Sequence, residues 1–278
     1  TDPTYKRMYY EDFREEPAVP KTFRDYNRVA SFFTRGCNAA SPTQYGSTVA
    51  IGNVVVSPSE FMPRLFAENG RLLDSQGRIT LDTPEALRAL ENYRETYSYS
   101  DRTIYDFWKI ALEGFADGTA AMTVVFINYA SHILNSQMSR IAGKLGFAPV
   151  PGGKPLLGGG VIGIAQSCTC PAAACKFLEW LYADLVAPVF TMLGGLSPCR
   201  SAYSNRDISE QYPWLSTARK SFPTAQRRSN STYYQNFSEL QLETILAAHV
   251  QQAVLGVCSP EEALKQAQED CNRYFQPW

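Results

Sequence analysis

The chain has 278 residues, 45% hydrophobic and 19% charged, enough apolar sequence to bury a sizeable core in one large domain or two small ones. Lys and Arg number 26 against 27 Asp and Glu, a formal net charge of −1 that offers no electrostatic footprint for nucleic acid or an anionic membrane. No run of about 18 apolar residues is present to span a bilayer, and 13% aromatic residues with apolar periodicity throughout exclude a disordered or collagen-like chain.

In chain order, Phe23, Tyr26, Val29, Ala30 and Phe33 predict an amphipathic helix over 21–34. Residues 36–47 read as a loop and 49–56 as a strand. Ser57-Pro58-Ser59-Glu60 opens a helix that Asn69-Gly70 closes. Residues 72–81 read as two short extended pieces around a turn. Thr83 caps the next helix, with Pro84 at the first position, where no N–H is needed. A helix is expected over 103–117, ended by Gly118. The apolar run of 120–126 then reads as a buried strand. Residues 145–149 read as its neighbouring strand in one lobe, and 161–165 as a further strand beyond a Gly-rich loop. Pro171 starts a helix containing Phe177, Leu178 and Leu181. Residues 239–255 form a long helix stopped by Gly256. Ser259 and Glu262 form a capping box for the last helix, whose inner stripe is Leu264, Ala267 and Cys271. Strands interleaved with helices give an α/β class.

The cysteines number seven, an odd count: Cys37, Cys168, Cys170, Cys175, Cys199, Cys258 and Cys271. A secreted disulfide framework favours an even count and a shorter chain. Free, partly buried thiols fit better and point to a reducing compartment or an anaerobic source. Thr1 to Tyr5 carry neither a basic nor an apolar signal region, so a signal is either lacking or was removed with a preceding segment.

Several segments occur in a telling order. They are Tyr9-Tyr10-Glu11-Asp12-Phe13, Val19-Pro20-Lys21-Thr22-Phe23, Arg71-Leu72-Leu73-Asp74 and Leu81-Asp82-Thr83-Pro84-Glu85-Ala86-Leu87. Phe115-Ala116-Asp117-Gly118-Thr119-Ala120-Ala121-Met122 follows, then 147–153, 158–164, 173–181, Gly194–Arg200 and Ser259–Leu264. The series resembles the extracytoplasmic solute-binding proteins of ABC importers (solute-binding protein family 1, maltose-binding-protein-like), in the branch for sugars and polyols. The segment 115–122, against F-x-x-G-K-A-A-M, is the closest match.

The resemblance implies a periplasmic-binding-protein type II fold, with Tyr9–Phe13 in its hinge strand. The match begins in the middle of the family pattern, so most of the first lobe is absent. Residues 1–160 would be the first part of the second lobe, 161–225 a later first-lobe segment, and 226–278 the return to the second lobe. A piece of a longer chain is expected, because a two-lobe binder needs both walls of its cleft. Apolar faces around Phe177, Leu181, Val189 and Phe190 would then stay wet, with self-association as one outcome.

A sugar offers hydroxyls to polar side chains and a C–H face to a ring. By family position, the resemblance assigns interlobe contacts to Phe126, Asn128 and Tyr129. It adds Gly159 and Gly160, where missing side chains let backbone approach a ligand. Many relatives carry an aromatic after the paired glycines, but Val161 stands here. Arg200 and Tyr233-Tyr234 are further candidates. The competing reading is that Arg200 pairs with a carboxylate and the tyrosines pack.

Other groups read as structural. Cys168, Cys170 and Cys175 lack a common zinc spacing, and Cys170 falls at a helix cap. His249 falls on an apolar helix face and His132 has no nucleophile motif beside it. Arg227-Arg228 reads as solvated loop, and Gly158–Gly160 lacks the residues of a P-loop. No metal cluster, carboxylate pair or cofactor motif is located, so no enzyme and no cofactor are expected.

The expected function is the solute-binding component of an ABC importer, taking a sugar or polyol without catalysis and meeting a permease. Its expected place is extracytoplasmic, as a lipoprotein or periplasmic protein. The alternatives are a ligand-sensing domain of a cytoplasmic regulator and, third, a glycan-acting enzyme.

Overall fold

Side-chain caps start most of the long helices where the sequence places them, in a computed structural model that describes residues 2–52, 54–204, 212–227 and 230–278. Helix α2, Phe23–Phe32, opens with a reciprocal box between Thr22 and Asp25. Helix α3 is Val56–Ala67, and Asn69 closes it in the left-handed region at φ 64°. Helix α4, Pro84–Ser98, has the Thr83 hydroxyl accepting from the Ala86 N–H. Ahead of these, helix α1 is Pro3–Phe13, capped by Asp2. The expected hinge strand at Tyr9–Phe13 is therefore helical. The spacing of four puts Tyr9 and Phe13 on one face, where both rings meet Phe32.

Strand β1, Tyr45–Thr48, pairs in parallel with strand β2, Ala120–Thr123. The expected strand over 49–56 does not form. Val49, Ala50 and Ile51 are buried, but side chains take the carbonyls of Ala50, Ile51 and Gly52. Tyr93 donates to Ala50, Gln251 to Ile51, and Ser57 to Gly52. The apolar run reports burial, while the polar backbone is satisfied without a neighbouring strand. Asn53 of that run lies outside the described residues.

Helix α5, Trp108–Ala116, starts later than expected, because Asp101 turns the chain by accepting from the Thr103 N–H. A Cβ on Gly46 would sit 1.8 Å from the Ala30 carbonyl oxygen, which is helix backbone that cannot step aside. Gly46→Ala is expected to cost at least about 2 kcal/mol, read as a Tm lowered by about 5 °C or more. An unchanged Tm would show that α2 is not held against β1.

Two compact units divide the chain. The first contains Thr1–Val124, Val150–Leu156 and Gln226–Trp278; the second contains Val125–Pro149 and Leu157–Ala225. The expected division kept 125–160 with 1–124, whereas here 125–149 and 157–160 lie in the second unit.

In the first unit the last two long helices pack on α3 and α4. The core between them includes Leu242, Leu246, Val250, Leu264, Ala267 and Cys271. The first unit also buries a charge pair: Arg64 Nη1 lies 3.2 Å from Glu60 Oε2. The Arg64 guanidinium is 4.7 Å from the ring centroids of both Phe23 and Tyr93. Burial raises the Glu60 pKa, opposed by Arg64, the Ala50 N–H and the Trp108 indole.

The second unit carries the short helices α6 (Ala130–Leu134), α7 (Pro171–Leu181), α8 (Val186–Met192), α9 (Ser201–Ser204) and α10 (Pro213–Ser221). Trp214, Leu215, Ala218, Ala187, Ala130 and Tyr203 form its core. Residues 145–149 and 161–165 are not strands. The β2 strand lies against β1 in the other unit, so 145–149 is not its neighbour; Phe147 packs on the helical core instead. Val161 is 98% exposed, so no sheet covers that apolar run. Helix α7 has no buried residue; Phe177 and Trp180 face outward with Leu185, Val189, Phe190 and Leu193. Cys170 occupies the cap position of α7, but its thiol makes no capping hydrogen bond.

The chain returns to the first unit for α11, Glu239–Leu255, ended by Gly256 at φ 77°, and α12, Pro260–Tyr274, capped by Ser259. Among the described residues, no helix is long and apolar enough to cross a membrane.

Candidate functional site

The candidate residues fall into two groups, one in each unit. The chain leaves β2 and the first unit at Val124, and in the second unit Phe126 is followed by one tight turn, Ile127–Tyr129, that leads into α6. Ile127 and Ala130 anchor that turn in the core. The anchoring leaves Asn128 exposed and Tyr129 half-buried. Burial raises the Tyr129 pKa.

A Cβ on Gly158 would lie 2.9 Å from the Phe126 ring, so the Gly-rich segment passes directly over that ring. Gly159 and Gly160 have no atom within 4 Å of a built Cβ. Their missing side chains leave open space rather than relieve a crowded contact. Gly194, at φ 99°, would place a Cβ 2.6 Å from Ser131, which sets the turn before Arg200 beside the start of α6. Arg200 is exposed, and its carbonyl accepts from the Tyr203 N–H and the Ser204 hydroxyl. The structure thus brings Phe126 to Gly158 and the Gly194 turn to Ser131.

In the first unit, Tyr233 and Tyr234 take different roles. Tyr234 is buried, stacks on Phe237 at 6.4 Å and accepts the Ile79 N–H at 3.0 Å, so it packs as the competing reading expected. Tyr233 is 37% exposed and lines a cleft of about 420 Å³ with Asp74, Arg78, Thr80, Asn272 and Pro277. The sequence reading missed Asp74, Arg78, Thr80 and Asn272 as lining residues. Asp74 to Arg78 was legible as a turn, with a bridge between Leu73 and Ile79, but not as a wall. Backbone N–H groups and Arg78 hold the Asp74 pKa down, and Asp74 holds the Arg78 pKa up.

A second cleft of about 290 Å³ lies beside Phe23, lined by Arg24, Glu68, Arg88, Glu91 and Glu95. His249 Nε2 lies 2.8 Å from Asp270 Oδ2 between α11 and α12, a structural pair. Arg227 is exposed, and Arg228 lies outside the described residues. Among the described residues, no group of three or more His, Cys, Asp or Glu is placed to hold a metal.

A family model described as bacterial extracellular solute-binding protein matches residues 5–217. The chain belongs to that family. It is similar to a probable amino-acid ABC transporter periplasmic-binding protein, y4oP, of Sinorhizobium fredii, at 20% identity over 75% of this chain and 47% of the relative. It therefore spans about half the length of that curated relative. Among solved structures it resembles a ribitol complex of an ABC transporter solute-binding protein from Agrobacterium radiobacter, with TM-score 0.74 and 21% identity, covering 98% of this chain and 68% of that one. It also resembles maltose-bound MalE3 of T. maritima, with TM-score 0.79 and 21% identity, covering 97% and 69%. The fold is that of the type II periplasmic binding proteins.

Proposed function

We propose that the chain is part of the solute-binding component of an ABC importer, holding a sugar or polyol between two lobes without catalysis. The family match over residues 5–217 carries this reading. The ribitol and maltose complexes of similar fold point to the ligand class. Phe126 supplies a ring; Asn128, Tyr129 and Arg200 supply hydrogen-bonding groups; Gly159 and Gly160 leave room for a ligand against backbone. Lobe closure would exclude water and present the closed form to a permease. In this reading, 226–278 with most of 1–160 forms the second lobe, and 161–225 belongs to the first. Its place is extracytoplasmic, periplasmic or membrane-anchored.

Calorimetry on the full-length protein, with ribitol, maltose and an amino-acid panel, tests the reading. The amino acids are included because the description of y4oP names that class. Asn128→Ala, Tyr129→Ala and Arg200→Ala are expected to weaken sugar or polyol binding about tenfold each, with little change in Tm. Unchanged affinity in all three variants would remove this site, and binding of amino acids alone would overturn the ligand class.

One observation favours a second reading, a sensor domain of a cytoplasmic regulator. Cys37, Cys170 and Cys175 are exposed free thiols, which suit a reducing compartment. A lipoprotein signal in the upstream gene sequence supports transport; a helix-turn-helix supports regulation.

A further inference from the structure

We propose that the cleft at Tyr233 is a second saccharide subsite, contained within the first unit and separate from the interlobe contacts proposed above. It is assembled from the turn at 74–80, the segment at 233–234 and the C-terminal residues 272–277.

The walls are already held without a ligand. Tyr234 takes the Ile79 N–H, Ser231 donates to the Gly77 carbonyl, and the Trp278 N–H donates to the Tyr233 carbonyl at 3.2 Å. Gln268 accepts the Leu81 N–H and donates to the Ile79 carbonyl. Asp74 accepts from the Gln76 and Arg78 N–H groups and, at 2.7 Å, from Arg78 Nε. A frame fixed in this way loses little freedom when a ligand enters.

The groups facing the cleft are in a different state. The Arg78 Nη atoms, the Thr80 hydroxyl, Asn272 Nδ2 and the Tyr233 hydroxyl have no hydrogen-bond partner among the described residues, while Arg78 Nε and Asn272 Oδ1 are engaged. The Tyr233 ring stands edge-on to Tyr234 at 5.0 Å, and Tyr234 is braced by Phe237 and Phe275. A fixed ring thus adjoins several unspent polar groups.

Those features select a ligand class. Asp74 and Arg78 are the charged lining residues, and they neutralise each other. A free anion therefore meets no net positive field. A neutral polyhydroxyl compound with a C–H face meets a ring for that face and partners for its hydroxyls. About 420 Å³ falls in the range of small-molecule pockets and accommodates a sugar ring.

Calorimetry of the full-length protein with glucose and maltose, beside thermal melts, tests the subsite. Saturable binding is expected, weakened about tenfold by Tyr233→Ala and severalfold by Arg78→Gln. Tyr233→Phe, which keeps the ring, is expected to stay within about threefold of the parent. Tyr233 is partly exposed, so its variants are expected to melt near the parent temperature. No saturable binding of either sugar would overturn the subsite, as would equal affinity in the parent and Tyr233→Ala. Loss of all binding in Asn128→Ala alone would also overturn it, while leaving the interlobe reading intact.

Discussion

Arg64→Met is expected to destabilise the first unit by about 3–5 kcal/mol. The guanidinium is 2% exposed, fills the space between Phe23 and Tyr93, and bonds both the backbone and the carboxylate of Glu60. Methionine replaces much of the volume but none of the charge. Glu60, itself only 6% exposed, then keeps the Ala50 N–H and the Trp108 indole as partners and loses its counter-ion.

The pH dependence follows from the direction of the Glu60 shift. Its pKa is raised by burial, and Arg64 is the largest opposing influence. A carboxyl with a raised folded pKa holds more protons folded than unfolded. Stability therefore falls as pH rises from the ordinary carboxylate range up to the folded pKa, and stays lower above it. Removing Arg64 enlarges that fall and extends it to higher pH. Glu60→Gln added to Arg64→Met removes the stranded charge and is expected to recover most of the loss. Thermal melts at about pH 5 and about pH 8 read all of this. A single variant within about 2 °C of the parent at both values would sink the account.

The chain by itself is expected to bind a hydrophobic dye strongly and to self-associate at ~100 µM. Leu185 and Leu193 are 88% and 81% exposed, and Phe177 and Trp180 lie 5.7 Å apart on the uncovered α7. Covering four such side chains on each of two copies contributes about 12–24 kcal/mol, against an association cost of about 4–15 kcal/mol, and a surplus of about 5–6 kcal/mol corresponds to association at ~100 µM. The balance favours weak self-association. Serine at 177, 180, 185 and 193 is expected to abolish both dye binding and self-association with little change in Tm, since none of the four is buried. Light scattering over a range of concentrations checks it. A monodisperse parent that excludes the dye would show that the face is covered in solution.

What was legible in the sequence was local. Thr83 and Ser259 cap the helices they were read to cap, and Gly256 ends α11. Each device acts within a few residues, so the sequence carries it whole. The apolar runs were less informative. Val49–Ile51 and 161–165 look alike as sequence, yet the first is buried under Tyr93 and Gln251 and the second begins with an almost fully exposed Val161. Which side chains arrive to satisfy a backbone is decided by distant segments. The cleft at Tyr233 shows this most plainly, since its walls come from residues 74–80, 233–234 and 272–277. The Phe126–Tyr129 group was reached through the family pattern, and its exposure follows from the anchors Ile127 and Ala130 on either side.

The interleaving of the two units imposes an order of assembly as the chain leaves the ribosome. All of the second unit has been synthesised by Ala225. The first unit begins earlier, but α3 and α4 lack α11 and α12 until Tyr274 has emerged. Its parallel strands also join Tyr45 to Ala120, a loop that closes slowly compared with any hairpin. The earlier segments must therefore wait, with apolar helix faces unfilled, while the second unit can already gather its own core around Trp214 and Leu215. That interval is when the nascent chain is most exposed to aggregation and most dependent on chaperones.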